Sequence, residues 1–423
     1  MTASQRSVCV LGGGSFGSTI ARLVGAVAAD APVRWWVREA EVADEINTHR
    51  SNERFLPGAV FTPNLVAMTD LEAATAGATH LVVAIPSQFL EATLPRVRKH
   101  IRADASVLSV VKSLHYEDAR NRLSLPSSEI LQLLGGTHEV CALCGPNIYH
   151  EMTSDASFAE ATIGCADSVS GRVAAAQWHA LLMADYFATR CIADRSGVEA
   201  AGALKNVIAL GTGFGTGCGH GANVRAAIMR VGLGEMERFA RRFLGAADAR
   251  TFYEEACGVG DLVLTCTTGR GHQLAAAFVR GDEHTRDVQT PHARWAALEA
   301  KLFPGMYLPD WHSAKALKAF LAAHCAEPSR SCAPSGASAT VASPRRTSWG
   351  SCVKRCEGTA RRPRGPGRCG RRCRLRRLYL TTRLADRRAG IVGCCGRCSP
   401  RSWQRCRSCR VLQLCTGLRS RES

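Results

Sequence analysis

The feature that most constrains this chain is Gly12-Gly13-Gly14-Ser15-Phe16-Gly17, a G-x-G-x-x-G spacing set between an apolar run and a helix-periodic stretch. Residues 7–11 are short and apolar, as a buried strand is, while residues 18–29 carry small and aliphatic side chains at helical spacing. Strand, tight turn and helix in that order give each glycine a separate duty. Gly12 permits the turn, Gly14 lets a pyrophosphate come close to the backbone, and Gly17 lets helix and strand pack closely. The helix N-terminus adds N–H groups and positive potential for an anion. A glycine turn of structural value alone is the competing reading, and the placement between strand and helix argues against it.

Further apolar runs follow at residues 33–37, 80–85 (just before Pro86), 106–111 and 140–144, alternating with helical stretches. That alternation predicts an α/β fold with a Rossmann-type, doubly wound parallel sheet. After about residue 193 the period changes, and residues 198–210 and 224–243 read as long helices. A second, all-α domain is implied, with Ser196 and Glu199 fitting a capping box at its first helix. The expected divisions are 1–193 for the dinucleotide-binding domain, 194–330 for the helical catalytic domain and 331–423 for a tail.

The formal charge of +18 suggests a nucleic-acid partner until it is divided along the chain. Residues 331–423 hold 23 Lys plus Arg against three acids and 11 of the 20 cysteines, which leaves the remainder almost neutral. No nucleic-acid surface is therefore expected on the globular part. Apart from Cys141 and Cys144, which lie within a strand-like apolar run, its nine cysteines show no paired spacing, as reduced and mostly buried thiols would. No apolar run approaches the ~20 residues that span a bilayer, and the first six residues are polar. The expected compartment is the cytosol, with a glycosome or peroxisome as the alternative, although the terminal Arg-Glu-Ser is not a peroxisomal address. The Arg/Cys/Gly/Pro composition of the tail is what a GC-rich coding sequence gives in a shifted frame. Its competing reading is a zinc or RNA-binding extension, since Cys395-x-x-Cys398 and Cys406-x-x-Cys409 have ligand-like spacing. Only seven residues part the two pairs, against the usual spacing of roughly 15 to 20, so no metal is expected.

Several single residues carry chemistry. Lys205 is a lone cation in an apolar helix, and burying an unpaired ammonium is costly, so it either snorkels to solvent or faces a cleft with a carboxylate nearby. Desolvation would make it a proton donor usable near neutrality. Asp261 and Thr265, four apart in an apolar stretch, share a helix face from which they could orient an ammonium. Arg270 lies between Gly269 and Gly271, a form suited to bidentate phosphate contact. Where the second strand ends, Arg38 precedes Glu39, and two readings stand. Glu39 can serve the ribose hydroxyl of NAD, or Arg38 can stack on adenine or meet the extra phosphate of NADP.

In order, these segments resemble the NAD-dependent glycerol-3-phosphate dehydrogenase family, the eukaryotic cytosolic type in particular. The resemblance runs through Gly12 to Gly17, Ile85-Pro-Ser-Gln-Phe89, Val-Val-Lys112, Cys-Gly-Pro-Asn147-Ile, Gly-Ala-Leu-Lys205-Asn206-Val, Gly-Ala-Asn223 and Gly-Val-Gly-Asp261-Leu-Val-Leu-Thr265-Cys. The 23-residue step from Phe89 to Lys112 also agrees with the family pattern. The resemblance implies NAD as cofactor and dihydroxyacetone phosphate or glycerol 3-phosphate as substrate, in a homodimer. It makes Lys205 the general acid, held by Asp261 and Thr265, with Lys112 at both substrate and cofactor. Asn206, Arg270 and Gly271 would meet the substrate. Gly12, Gly13, Gly14, Ser15, Phe16, Gly17, Arg38, Phe89, Asn147, Tyr149 and Arg270 would line the cofactor.

Two departures follow. A family segment Gly-Gln-Lys-Leu-Gln-Gly, which covers the cofactor, is represented here by Gly305-Met306-Tyr307-Leu308-Pro309-Asp310, so its polar contacts are lost. Tyr149 replaces a family alanine and adds bulk near the cofactor. The altered 305–310 segment and the basic tail support a second hypothesis, a nucleotide-binding pseudoenzyme whose tail mediates interactions.

Overall fold

Ten short strands organise the first half of the chain: β1 (Val8–Leu11), β2 (Val33–Trp36), β3 (Leu65–Met68), β4 (His80–Val83), β5 (Ser106–Ser109), β6 (His115–Glu117), β7 (Arg122–Ser124), β8 (Glu139–Cys144), β9 (Ala159–Gly164) and β10 (Phe187–Ile192). The computed structural model describes residues 6–326 apart from 154–156, 282–284, 286, 287, 289, 305–307 and 309. Eight strands join in the order β10-β9-β8-β5-β4-β1-β2-β3, while β6 and β7 form a separate hairpin. From β3 through β8 the pairings within this sheet are parallel. The expected parallel arrangement therefore dominates, with one correction: β9 runs antiparallel to β8 and carries β10 parallel to itself.

The period of two along β1 divides the core. Val8 and Val10 face a cluster with Ile20, Trp35 and Trp178, whereas Cys9 and Leu11 face one with Leu81, Val83, Leu94 and Ile130. Both faces are covered, as a parallel sheet requires. The five strands expected from apolar runs are all present. Five were not anticipated: β6 and β7 are three-residue hairpin strands, β3 has four residues, β9 begins with partly open positions, and in β10 only Phe187 is buried.

Beyond β10 the described chain is helical. The helix Arg195–Gly217 lies at the centre, buried along most of its length, and packs against Ala222–Phe239, Asp261–Thr268 and Arg270–Arg280. Ala222–Phe239 continues into a π-helical turn, Ala240–Leu244, which accounts for the longer helical pattern in the sequence. The expected capping box is overturned. Asp194 caps the central helix, its side chain accepting from Gly197 N at 3.0 Å, and it also accepts from Ala247 N and Thr251 Oγ1. Glu199 instead accepts from Ser127 N at 2.7 Å and Ser127 Oγ at 2.5 Å, so it ties two helices together and is unavailable to the cap. The eight described cysteines are unpaired, and six of them are buried. Residues 331–423, and with them the expectations for the tail, lie outside the described residues.

Candidate active site

Parallel strands end at one edge of the sheet, and most of the residues singled out by the sequence follow those ends. The glycine turn follows β1, Arg38 follows β2, Phe89 follows β4, Lys112 follows β5, and Asn147 and Tyr149 follow β8. The chain runs from β1 outward to β3, then crosses back to place β4 on the other side of β1. Ligands of open α/β sheets bind at such a reversal, outside the carboxyl ends of the strands.

The turn itself has the shape a dinucleotide needs. Gly12 adopts φ +116°, and a Cβ there would stand 2.6 Å from Ala84 O. A Cβ on Gly17 would stand 2.3 Å from Gly12 O, so strand and helix are in backbone contact. Gly14 has open space where a side chain would be and caps the helix Ser15–Val27 without a side-chain bond. Its open approach and the N–H groups of the helix N-terminus fit a pyrophosphate. Trp35 Nε1 donates to Gly12 O at 2.8 Å, and Asn52 Nδ2 donates to Gly13 O at 3.1 Å, which pins the turn from two sides. Ser15 opens the helix and Phe16 is packed on the core.

The second half of the site is a charge cluster. Lys205 is 6% exposed, and its Nζ donates to Asp261 Oδ1 at 2.5 Å and Thr265 Oγ1 at 2.7 Å. Lys112 Nζ donates to the other oxygen, Asp261 Oδ2, at 3.0 Å, and to Gly145 O at 3.2 Å. The carboxylate bridges a lysine from the sheet edge and a lysine from the central helix. A π-helical turn, Ala256–Gly260, leads into Asp261–Thr268, so Asp261 sits at the helix start and Thr265 one turn on, sharing a face as expected. Asp261 does not spend its carboxylate on capping that helix. Burial pushes the Lys205 ammonium below the ordinary lysine range; Asp261 opposes this and the charge of Lys112 adds to it. For Lys112 burial acts in the same lowering sense, but the attraction of Asp261 and other neighbours outweighs it and its pKa is raised.

The remaining expected residues divide between the two halves. Asn206 is buried next to Lys205 on the same helix. Arg270 and Gly271 open the next helix, Arg270–Arg280, after the Gly269 turn; Arg270 is exposed and Gly271 buried. Arg38 is largely exposed and holds Glu39 Oε1 at 2.6 Å, so the two alternatives read from the sequence are one ion pair. Phe89 is 43% exposed at the end of the turn Ser87–Phe89. Asn147 Nδ2 donates to Glu160 O at 2.8 Å while its buried Oδ1 has no protein partner, an acceptor that a bound group can satisfy. Tyr149 packs against the sheet core, which accommodates its bulk. Of the altered lid, residues 305–307 and Pro309 lie outside the described residues, whereas Leu308 and Asp310 are buried. Trp35, Asn52 and Gly145 support the site unanticipated: the first two act through side-chain nitrogens on backbone carbonyls, which no motif spacing reveals. Gly145 lies in the Cys-Gly-Pro-Asn147 motif, but a carbonyl acceptor leaves no trace in residue type.

A glycine turn at the reversal of a parallel sheet, joined to a buried lysine held by a carboxylate in a helical layer, defines a two-part dinucleotide-dependent dehydrogenase. The sequence profile of the NAD-dependent glycerol-3-phosphate dehydrogenase N-terminus matches residues 7–170, and that of the C-terminus matches residues 194–301. The cytoplasmic glycerol-3-phosphate dehydrogenase [NAD(+)] of Pongo abelii is 37% identical over 287 residues, 66% of this chain and 80% of that protein. Among solved structures, the glycerol-3-phosphate dehydrogenase of Saccharomyces cerevisiae matches with a TM-score of 0.65 and 30% identity, over 75% of this chain and 90% of the other. The GPDH of Dunaliella salina matches with a TM-score of 0.69 and 27% identity, over 75% of this chain and 55% of the other. The chain belongs to the NAD-dependent glycerol-3-phosphate dehydrogenase family.

Proposed function

We propose that this chain interconverts dihydroxyacetone phosphate and sn-glycerol 3-phosphate, with Lys205 protonating the substrate oxygen in the reducing direction. The observation that carries the reading is the buried Lys205 ammonium held between Asp261 and Thr265. An ammonium has three protons. Two are engaged by those partners, which aims the third at a carbonyl in the cleft. Lys112, likewise bonded twice, has its third proton to offer the same substrate. Both cations stabilise negative charge developing on the oxygen in a site with little water. Arg270 and the N-terminus of its helix would bind the phosphate and so fix the carbonyl's position. NAD(H), held by Gly12 to Gly17 with Arg38, Phe89, Asn147 and Tyr149 around it, supplies the redox chemistry when bound.

The same reading includes a division near residue 193, supported by the end of β10 at Ile192 and the start of the central helix at Arg195. It also includes a homodimer, and a cytosolic location for which the names of the cytoplasmic relatives speak. The intact lysine-carboxylate cluster argues against a pseudoenzyme. The test is NADH consumption by the full chain on addition of dihydroxyacetone phosphate, followed by absorbance, with sedimentation for the dimer. Bound NADH with no consumption at saturating substrate would sink the enzymatic reading.

A further inference from the structure

Asp310 has no role in the reaction as described, yet it is placed against the residues that would receive the substrate's phosphate. It opens the helix Asp310–Ala326 and is only 5% exposed. A Cβ built on Gly271 would stand 2.0 Å from Asp310 Oδ1 and 2.7 Å from Cγ. The carboxylate therefore lies directly on the backbone of the second residue of Arg270–Arg280, an 11-residue helix whose N-cap, Gly269, offers no side-chain bond. Main-chain N–H groups and helix potential make that position a site for one anion. The charged groups acting on the carboxylate come from three helices: Arg270 and Lys205 attract it, and Glu299 repels it. Burial, the largest influence, raises its pKa to about 6.

Resting on the proposed function, we infer that Asp310 is a specificity-determining residue, an internal anion that competes with the substrate's phosphate for Arg270 and the Gly271 backbone. Two like charges cannot share one helix end cheaply, so the cleft takes a phosphate well only when Asp310 carries a proton or is absent. The residue acts on substrate affinity, not on the proton transfer at Lys205.

The experiment compares the full chain with Asp310→Asn and Asp310→Gly, in turnover and in calorimetric binding of inorganic phosphate. At about pH 7.5 both variants are expected to lower KM for dihydroxyacetone phosphate about tenfold or more and to tighten inorganic phosphate similarly, with the change in KM exceeding that in kcat. From about pH 7.5 down to about pH 5.5 the parent's phosphate affinity should improve relative to Asp310→Asn, because Asp310 gains its proton in that range. The phosphate's own ionisation is common to all three proteins and cancels in the ratio. Folded variants, verified by circular dichroism and thermal melting, with KM and phosphate affinity unchanged would overturn the inference. Tighter phosphate binding without NADH consumption in any of the three would uphold it and remove the proposed reaction.

Discussion

The two halves of the site are built from opposite materials. The glycine turn is a backbone device: its function comes from a positive φ, a contact between main chains and a gap where a side chain would be. The cluster of Lys112, Lys205, Asp261 and Thr265 is a side-chain device, in which one buried carboxylate is shared by two ammoniums. A backbone device fails by steric exclusion and should lose binding. A charge device fails by unbalanced charge and should lose rate, and sometimes the fold.

The largest expected effect is on rate. Lys205→Ala should lower kcat about 10²- to 10⁴-fold, the range typical of a positioned acid, while NADH titration shows little change. A variant that turns over near the parental rate would break the contrast at its strongest point. Asp261→Asn leaves a buried ammonium, Lys205, and a part-buried one, Lys112, without their carboxylate. It should cost about 3–5 kcal/mol of stability in a denaturant titration, besides lowering turnover. If the melting curve were unmoved, the ion pairs would not hold the helical layer to the sheet edge.

The turn offers an internal comparison. Gly17→Ala forces a Cβ against Gly12 O and should cost about 1–3 kcal/mol of stability. Gly14→Ala meets open space, so it should melt like the parent yet bind NADH more weakly, because the added methyl fills the approach of the pyrophosphate. Equal loss of stability in both would mean that the turn is a packing element only. The smallest effect is a shift in a pH profile. Reduction needs protonated Lys205, so its rate should decline on the alkaline side as that proton is lost, below the ordinary lysine range. Lys112 is one of the groups lowering the Lys205 pKa. Lys112→Gln should therefore move the descending limb to higher pH, and a limb that stays in place would separate the two lysines electrically.

Much of this was legible in the sequence, and the reasons are specific. Gly12 to Gly17 could be read because three glycines at fixed spacing have few other uses between a strand and a helix. Lys205 stood out because an apolar helix rarely tolerates one cation, and Asp261 with Thr265 followed from helical spacing. What escaped depends on distant partners. Ser196 and Glu199 satisfy the local capping pattern, yet Asp194 takes the cap because its second oxygen also meets Thr251, a contact 57 residues away. The strand β9 pairs antiparallel at the end of an otherwise parallel run, and its exposed first residues hide it among loops. Asp310 ends the altered segment 305–310, and nothing local in the sequence shows that its carboxylate lies against Gly271, 39 residues earlier.

The shared carboxylate has a mechanical consequence. Asp261 grips the sheet edge through Lys112 and the central helix through Lys205. A separation of the sheet edge from the helical layer that broke the Lys112 bond and kept the Lys205 one would leave Lys205 its carboxylate, remove a like charge, and so make it more basic. The salt link that ties the two layers is thus also one that keeps the proton donor acidic.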